Sequence, residues 1–329
     1  MTEVLTVREG PSSADRRLLS FEARAMGSPL RLSLVVPAGR RGVLDLATAA
    51  WRGVRDEFEA CEQAMSRFID SSEITTLNRQ AGSDRWIPLS RRLRLALTTS
   101  DRAHRVTRGR FDPRVLRDLE RLGDPGAPLG GATPMDDRQR PVGRVVEAAR
   151  DRRFRMAEPV DLGGIGKGLA LRWAAAAVAD LEPDGFLLEA GGDLVAGGEP
   201  PEGGPWRIGL EDPTGGAEPL AVLSVGKAAV ATSSIRRRRW TSGGRTMHHL
   251  IDPETGEPGD GGLLAVTVVG PDPAWSEIWS KTLFLAGRSS IVGLARRRGL
   301  AAWWVAEDGS LEMTAAGRMR TAWVAGEGR

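Results

Sequence analysis

Eleven residues, Val160-Asp161-Leu162-Gly163-Gly164-Ile165-Gly166-Lys167-Gly168-Leu169-Ala170, constrain this chain more than any other stretch. Four glycines and a lysine stand between an apolar segment, Met156 to Val160, and an alanine-rich run, Leu169 to Leu181. The run reads as a helix and the glycines as the turn that opens it. Such a turn leaves backbone N–H groups without intrahelical partners at the positive end of the helix dipole. It receives phosphate readily, and a lysine inside it adds a point charge. The chain has three lysines, Lys167, Lys227 and Lys281, in a background of arginine. Lysine in that setting points to a need for a compact ammonium, which a planar guanidinium does not meet. Two common phosphate motifs fail here. A P-loop needs glycine at Asp161 and Ser or Thr at Gly168, and a dinucleotide G-x-G-x-x-G beginning at Gly164 needs glycine at Leu169. Taken alone, the stretch is equally compatible with a structural turn.

A chain of 329 residues holds one large domain or two modest ones. With 41% hydrophobic and 27% charged residues it reads as globular and soluble. A net charge of +3 is too mild to indicate nucleic acid, and the runs Arg236 to Arg239 and Arg296 to Arg298 read as solvated faces. The single cysteine, Cys61, excludes an internal disulfide and a cysteine metal cluster. Met1 to Arg17 is polar, with no apolar signal-peptide core, and no apolar run has the length of a membrane span. The expectation is a cytoplasmic protein with no membrane anchor, with residues 1–18 disordered and 19–329 forming one domain.

Leu18 to Val36 reads as strand, interrupted at Met26-Gly27-Ser28-Pro29. Asp45 to Phe68 carries Leu46, Trp51, Val54, Phe58, Cys61 and Met65 at helical spacing. Ser71-Ser72-Glu73 reads as a helix cap or turn, Arg91 to Thr107 as a second helix, and residues 123–140 as a surface loop. Strands are expected at 185–188, 206–210, 221–225, 228–232, 263–269 and 301–305, and helices at 275–286 and 290–298. Strands and helices mix without regular βαβ alternation, so the expected class is α+β.

Several motifs recur in one order: Ala25-Met26-Gly27-Ser28; Met65-Ser66-Arg67-Phe68 with Ser72-Glu73-Ile74 and Asn78; Phe111-Asp112-Pro113; the glycine-lysine stretch; Gly191-Gly192-Asp193; Trp206 to Pro213; Ala231-Thr232-Ser233; His249 to Gly256; and Leu283-Phe284-Leu285-Ala286-Gly287. This order and spacing resemble the ApbE family, the FAD:protein FMN transferases, over roughly residues 20–315. The resemblance implies an α+β fold of mainly antiparallel sheets with packed helices, of the T-fold type. It also implies an activity: with Mg²⁺, FMN is moved from FAD to a Thr or Ser hydroxyl of an acceptor protein, and AMP leaves. It further implies that His249 is the base, a role that suits an imidazole. Asp161 and Lys167 then lie near the flavin and its phosphates, and the Gly164 carbonyl touches the metal. Met26, Phe68, Thr232 and the segment Arg110-Phe111-Asp112 bind the nucleotide. Phe68 stands where relatives often have tyrosine; it keeps a stacking face and lacks the hydroxyl.

The main departure from the family lies near the C-terminus. Relatives carry an acid and, four residues on, a threonine, both holding Mg²⁺ just ahead of the Leu-Phe segment. Counting back from Leu283-Phe284 places Glu277 at the acid and Lys281 at the threonine. Glu277 suits a hard cation, whereas a protonated lysine does not ligate. Two readings stay open. One is a surface i,i+4 ion pair of about 0.2–0.5 kcal/mol. The other is an ammonium in the metal's place, paired internally with Glu277. A non-catalytic FAD-binding protein and an FAD pyrophosphatase using water are the rival functions.

Overall fold

The computed structural model describes residues 8–9, 15–39, 41–126, 143–149, 153–236 and 238–326. A nine-stranded sheet forms its centre. In spatial order the strands are β1 (Arg8–Glu9), β2 (Arg16–Ala25), β3 (Ser28–Pro37), β7 (Gly185–Ala190), β8 (Asp193–Gly198), β11 (Ala228–Ser234), β14 (Leu263–Gly270), β15 (Ala301–Ala306) and β16 (Leu311–Met313). A three-stranded sheet holds β9 (Trp206–Leu210), β10 (Ala221–Val225) and β17 (Thr321–Val324). Two smaller sheets are made by β12 (Arg239–Ser242) with β13 (Arg245–His248), and by β4 (Ile87–Pro88), β6 (Arg153–Arg155) and β5 (Glu147–Ala148). Every strand pairing among the described residues is antiparallel. The helices are α1 (Val43–Met65), α2 (Glu73–Asn78), α3 (Arg91–Val106), α4 (Leu116–Arg121), α5 (Gly166–Ala179), α6 (Pro273–Ala286), α7 (Arg288–Arg297) and α8 (Ala315–Arg318). The expected α+β class holds.

Alternation along the strands separates two cores. Leu19, Phe21, Leu30 and Leu32 point to one face and pack on α1, α5 and α6 through Trp51, Phe58, Leu169 and Ile278. Val35, Ala196, Val230 and Trp303 point to the other face, under Trp206, Leu223 and Val225 of the small sheet. Trp303 belongs to this second core, whereas its neighbour Trp304 packs in a third cluster with Val266, Leu283 and Phe284, as a strand period of two requires. Phe21 stacks on Trp51 with ring centroids 5.8 Å apart. Each such fully buried large side chain contributes about 1.5–3 kcal/mol of transfer free energy.

Local signals account for several boundaries. Ser72 caps α2 by accepting the Thr75 N–H, and Asp272 caps α6 by accepting the Trp275 N–H, with Pro273 opening that helix. The expected interruption at Met26 is a two-residue hairpin turn. Met26 and Gly27 both have positive φ, 49° and 70°, as the twist of the flanking strands favours. Strand β2 begins at Arg16, inside the stretch 1–18 expected to lack structure, and β1 pairs with it. Most of that stretch and most of the expected loop 123–140 lie outside the described residues. Strands β8, β12, β13, β16 and β17 were not expected from the sequence. Among the described residues, no helix is long and apolar enough to cross a membrane.

Candidate active site

The glycine-lysine turn is fixed before its side chains are considered. Asn78, at the end of α2, clamps Val160 from both sides: its amide donates to the Val160 carbonyl and accepts the Val160 N–H, each at 2.9 Å. The next N–H, of Asp161, donates to the Pro113 carbonyl at 2.7 Å. Asp161 therefore enters the site on a held backbone. Its Oδ1 accepts the Gly163 N–H at 2.7 Å, and its Oδ2 lies 3.5 Å from Arg67 Nε. Burial works against its charge, but Arg67, Arg238 and Lys281 outweigh that and hold the carboxyl below its ordinary value.

The turn opens α5 against α6. A Cβ at Gly168 would lie 2.6 Å from the Ala274 Cα, so only glycine permits this approach. The closeness lets Glu277, on α6, accept the Gly168 N–H at 2.8 Å. An N–H left over by the first turn of α5 thus has a buried carboxylate as its partner. Burial raises the Glu277 carboxyl above its ordinary value, with Lys167 opposing and Asp193 reinforcing the shift. One turn on, Lys281 projects against Gly164, where any Cβ would overlap its ammonium. Burial lowers the Lys281 ammonium, against the pull of Asp161 and Glu277.

Lys167 behaves differently. Its ammonium is ion-paired to Asp193, which follows the Gly191-Gly192 turn, and Asp193 Oδ1 accepts the Thr232 N–H at 3.0 Å. The Thr232 hydroxyl in turn meets that of Thr267 at 2.8 Å. Helix α5 is thereby tied to β8, β11 and β14.

A second charged cluster lies across the turn. Buried Asp124 takes an ion pair from Arg67 at 2.5 Å and another from Arg238. The two guanidiniums lie 4.4 Å and 5.5 Å from the ring centre of Phe68, which is exposed. His249 stands beside Arg238, its Nδ1 3.4 Å from the Arg238 carbonyl. With the proton on Nδ1 in that contact, Nε2 carries the lone pair. Burial, then the charges of Lys281 and Arg238, depress the imidazole to about 3, so it is neutral near neutral pH.

A cavity of about 1000 Å³ opens over these residues and is lined by Met26, Phe68, Asp161, Lys167, Thr232 and His249, together with Arg67, Arg207, Arg236 and Arg238. That volume accommodates a dinucleotide-sized ligand. Leu187, Ile208, Leu223 and Trp303, which pack together in one core, give part of its wall an apolar character. Arg110, Phe111 and Asp112 lie instead at a small adjoining crevice with Gly164, Lys281 and His249. There Arg110 donates to the Leu285 carbonyl at 2.9 Å, Phe111 is buried, and Asp112 holds Arg114 at 2.7 Å. Glu277 lies buried beneath α5. The sequence reading missed Arg67, Asp124, Asp193 and Arg238 as site residues. Asp193 and Arg67 stood inside quoted motifs. Arg238 belonged to a run read as a solvated face, yet it crosses the site to Asp124.

Mg²⁺ does not fit the position that the resemblance implies. The Lys281 ammonium fills the space against Gly164 and donates rather than accepts. The neighbouring threonine is no substitute, because Thr282 is fully buried and donates its hydroxyl to the Ile278 carbonyl at 2.7 Å. Glu277 does not close on Lys281 as a surface or internal pair; it turns to the Gly168 N–H.

The sequence and the fold both have known counterparts. The FAD:protein FMN transferase of Salmonella typhimurium is 26% identical over 301 residues, covering 88% of this chain and 84% of that protein. The FAD:protein FMN transferase of Haemophilus influenzae is 27% identical, covering 88% and 87%. The crystal structure of the ApbE protein of Thermotoga maritima superposes with a TM-score of 0.78 at 24% identity, covering 92% of this chain and 99% of that one. The flavin transferase ApbE of Vibrio cholerae superposes with a TM-score of 0.75 at 19% identity, covering 94% and 100%. The ApbE family model matches residues 26–304, and on that match the chain belongs to the ApbE family.

Proposed function

We propose that this protein transfers the FMN moiety of FAD to a Ser or Thr hydroxyl of an acceptor protein and releases AMP. The observation that carries this reading is the placement of His249. It is a neutral imidazole with its Nδ1 beside a backbone carbonyl, at the edge of a dinucleotide-sized cavity floored by a helix N-terminus and flanked by arginines. Phosphoryl-type transfer asks the protein for positioning and charge neutralisation more than for covalent chemistry. The apolar part of the cavity wall suits the isoalloxazine ring, and the exposed Phe68 between its two arginines offers a stacking face. The turn that opens α5 lines the cavity and offers its backbone N–H groups to a pyrophosphate.

In the step itself the acceptor oxygen bonds to the FMN-side phosphorus. The bond from that phosphorus to the bridging oxygen breaks, and the bridging oxygen departs with AMP. The hydroxyl proton passes to His249 Nε2. A base depressed to about 3 is weak in the empty site. Burial is the larger cause and persists, but an anionic pyrophosphate near Lys281 and Arg238 would offset the charges that add to it, so binding of FAD raises the basicity of His249.

Chromatography of the nucleotides tests the reading, with FAD and an acceptor domain whose Ser or Thr site is accessible. AMP released one-for-one with FMN bound to the acceptor is the expected result. Free FMN and AMP with an unmodified acceptor would instead indicate a pyrophosphatase. Intact bound FAD with no AMP would indicate a flavin-binding protein.

A further inference from the structure

We propose that the Lys281 ammonium takes the place of the divalent ion in this protein and supplies its positive charge to the FAD pyrophosphate from within the chain. The inference rests on the transferase reading for the identity of the anion, and on the structure for the placement of the charge. Lys281 is one of three lysines in the chain and lies on the inner side of α6, one turn beyond Glu277. Its side chain shares a crevice with Asp161, Gly164 and His249, where the turn that opens α5 meets the candidate base.

Three features make this more than a loss of ligands. First, Gly164 has no side chain, and the space a Cβ would occupy holds the Lys281 ammonium. Backbone and lysine are therefore complementary in shape. Second, the two nearby carboxylates are engaged elsewhere: Glu277 accepts the Gly168 N–H, and Asp161 accepts the Gly163 N–H while facing Arg67. They surround the ammonium with negative charge without closing on it, so its N–H donors stay available to phosphate oxygens. Third, the hydroxyls on either side of Lys281 in the sequence are not poised as replacement ligands. Thr282 donates to the Ile278 carbonyl, and Ser280 Oγ is occupied by Ser233 Oγ and the Glu277 carbonyl. A fixed ammonium provides charge and directed hydrogen bonds but no coordination shell, so transfer proceeds without an added metal.

The test has a binding arm and an activity arm, both on the full-length protein with FAD present. Mn²⁺, a paramagnetic stand-in for Mg²⁺, is titrated and its free fraction read by electron paramagnetic resonance. Wild type is expected to bind no stoichiometric Mn²⁺, and Lys281→Thr to bind one. Wild-type flavinylation of the acceptor is expected to be unchanged by EDTA. Lys281→Met is expected to lose roughly 10²–10³-fold in transfer whether or not Mg²⁺ is added. Stoichiometric Mn²⁺ on wild type, or transfer abolished by EDTA, overturns the proposal and leaves the transferase reading standing. If no transfer occurs under any condition, the transferase reading fails, and Mn²⁺ binding still decides whether the lysine excludes the ion. Should Lys281→Thr not fold, the wild-type measurements decide alone.

Discussion

The two lysines of the site sit on neighbouring helices and are held in opposite ways. Lys167, in the turn that opens α5, is closed onto Asp193, which itself accepts a backbone N–H from β11. Lys281, in the middle of α6, lies among carboxylates that are bonded to other partners. One ammonium links a helix to the sheet, and the other is kept available. Identity alone does not separate the two roles, since both lysines stand out equally in an arginine-rich chain. What separates them is whether the nearest carboxylate is free to close.

The largest expected effect breaks that comparison through activity. Lys281→Met should reduce FMN transfer by roughly 10²–10³-fold, measured as initial rate on an acceptor domain. Its stability in urea should stay within about 1 kcal/mol of wild type, because an apolar side chain of similar length replaces a buried charge. A Lys281→Met protein that unfolds readily but transfers FMN normally would reverse the assignment.

Lys167→Met should show the complementary pattern. It strands the buried Asp193 carboxylate and should cost about 1.5–3 kcal/mol, read from the urea midpoint at unchanged slope. Restoring stability with Lys167→Met/Asp193→Asn would attribute the loss to that pair.

The pH profile sharpens the difference further. His249 is held below its ordinary value by burial and then by Lys281 and Arg238, so its base form persists in acid. The kcat/KM profile of the free enzyme should therefore lack an acid limb at the ordinary histidine value of about 6.5, and activity should fall only well below it. Removing the Lys281 charge raises the imidazole, so the residual activity of Lys281→Met should acquire an acid limb at higher pH than in wild type. An unmoved limb would show that the two groups do not sense each other.

The smallest effect concerns Phe68. Phe68→Ala should weaken FAD binding by about 1–3 kcal/mol, the range for loss of one aromatic stacking partner. Phe68→Tyr should stay close to wild type, because the stacking face is kept. Fluorescence titration with FAD reads both.

Much of the fold was legible because it is local. Trp51, Val54, Phe58 and Cys61 give the helical period of α1, and Ser72 gives the cap of α2. The alternation around Met26 gives strand with an interruption, but that the interruption is a tight hairpin turn with Met26 at positive φ has no sequence signature without a glycine at that position. The site was legible where one short motif carries it, as in the turn from Asp161 to Gly168. It was not legible where charges meet across the chain. Arg67, Asp124 and Arg238 come from separate elements, and a run of arginines looks the same whether it faces solvent or reaches a buried carboxylate. Glu277 and Lys281 were read as a departure from the family. Their i,i+4 spacing suggested a pair, but the close approach of α5 at Gly168 gives the carboxylate a stronger partner. That approach is a tertiary fact, invisible to spacing along one helix.

The most direct test of the whole account is the intact mass of an acceptor domain incubated with this protein and FAD, once with Mg²⁺ and once with EDTA. The account predicts an FMN-sized gain in both, at similar rates. A gain with Mg²⁺ alone would contradict the role given to Lys281, and no gain in either would contradict FMN transfer itself.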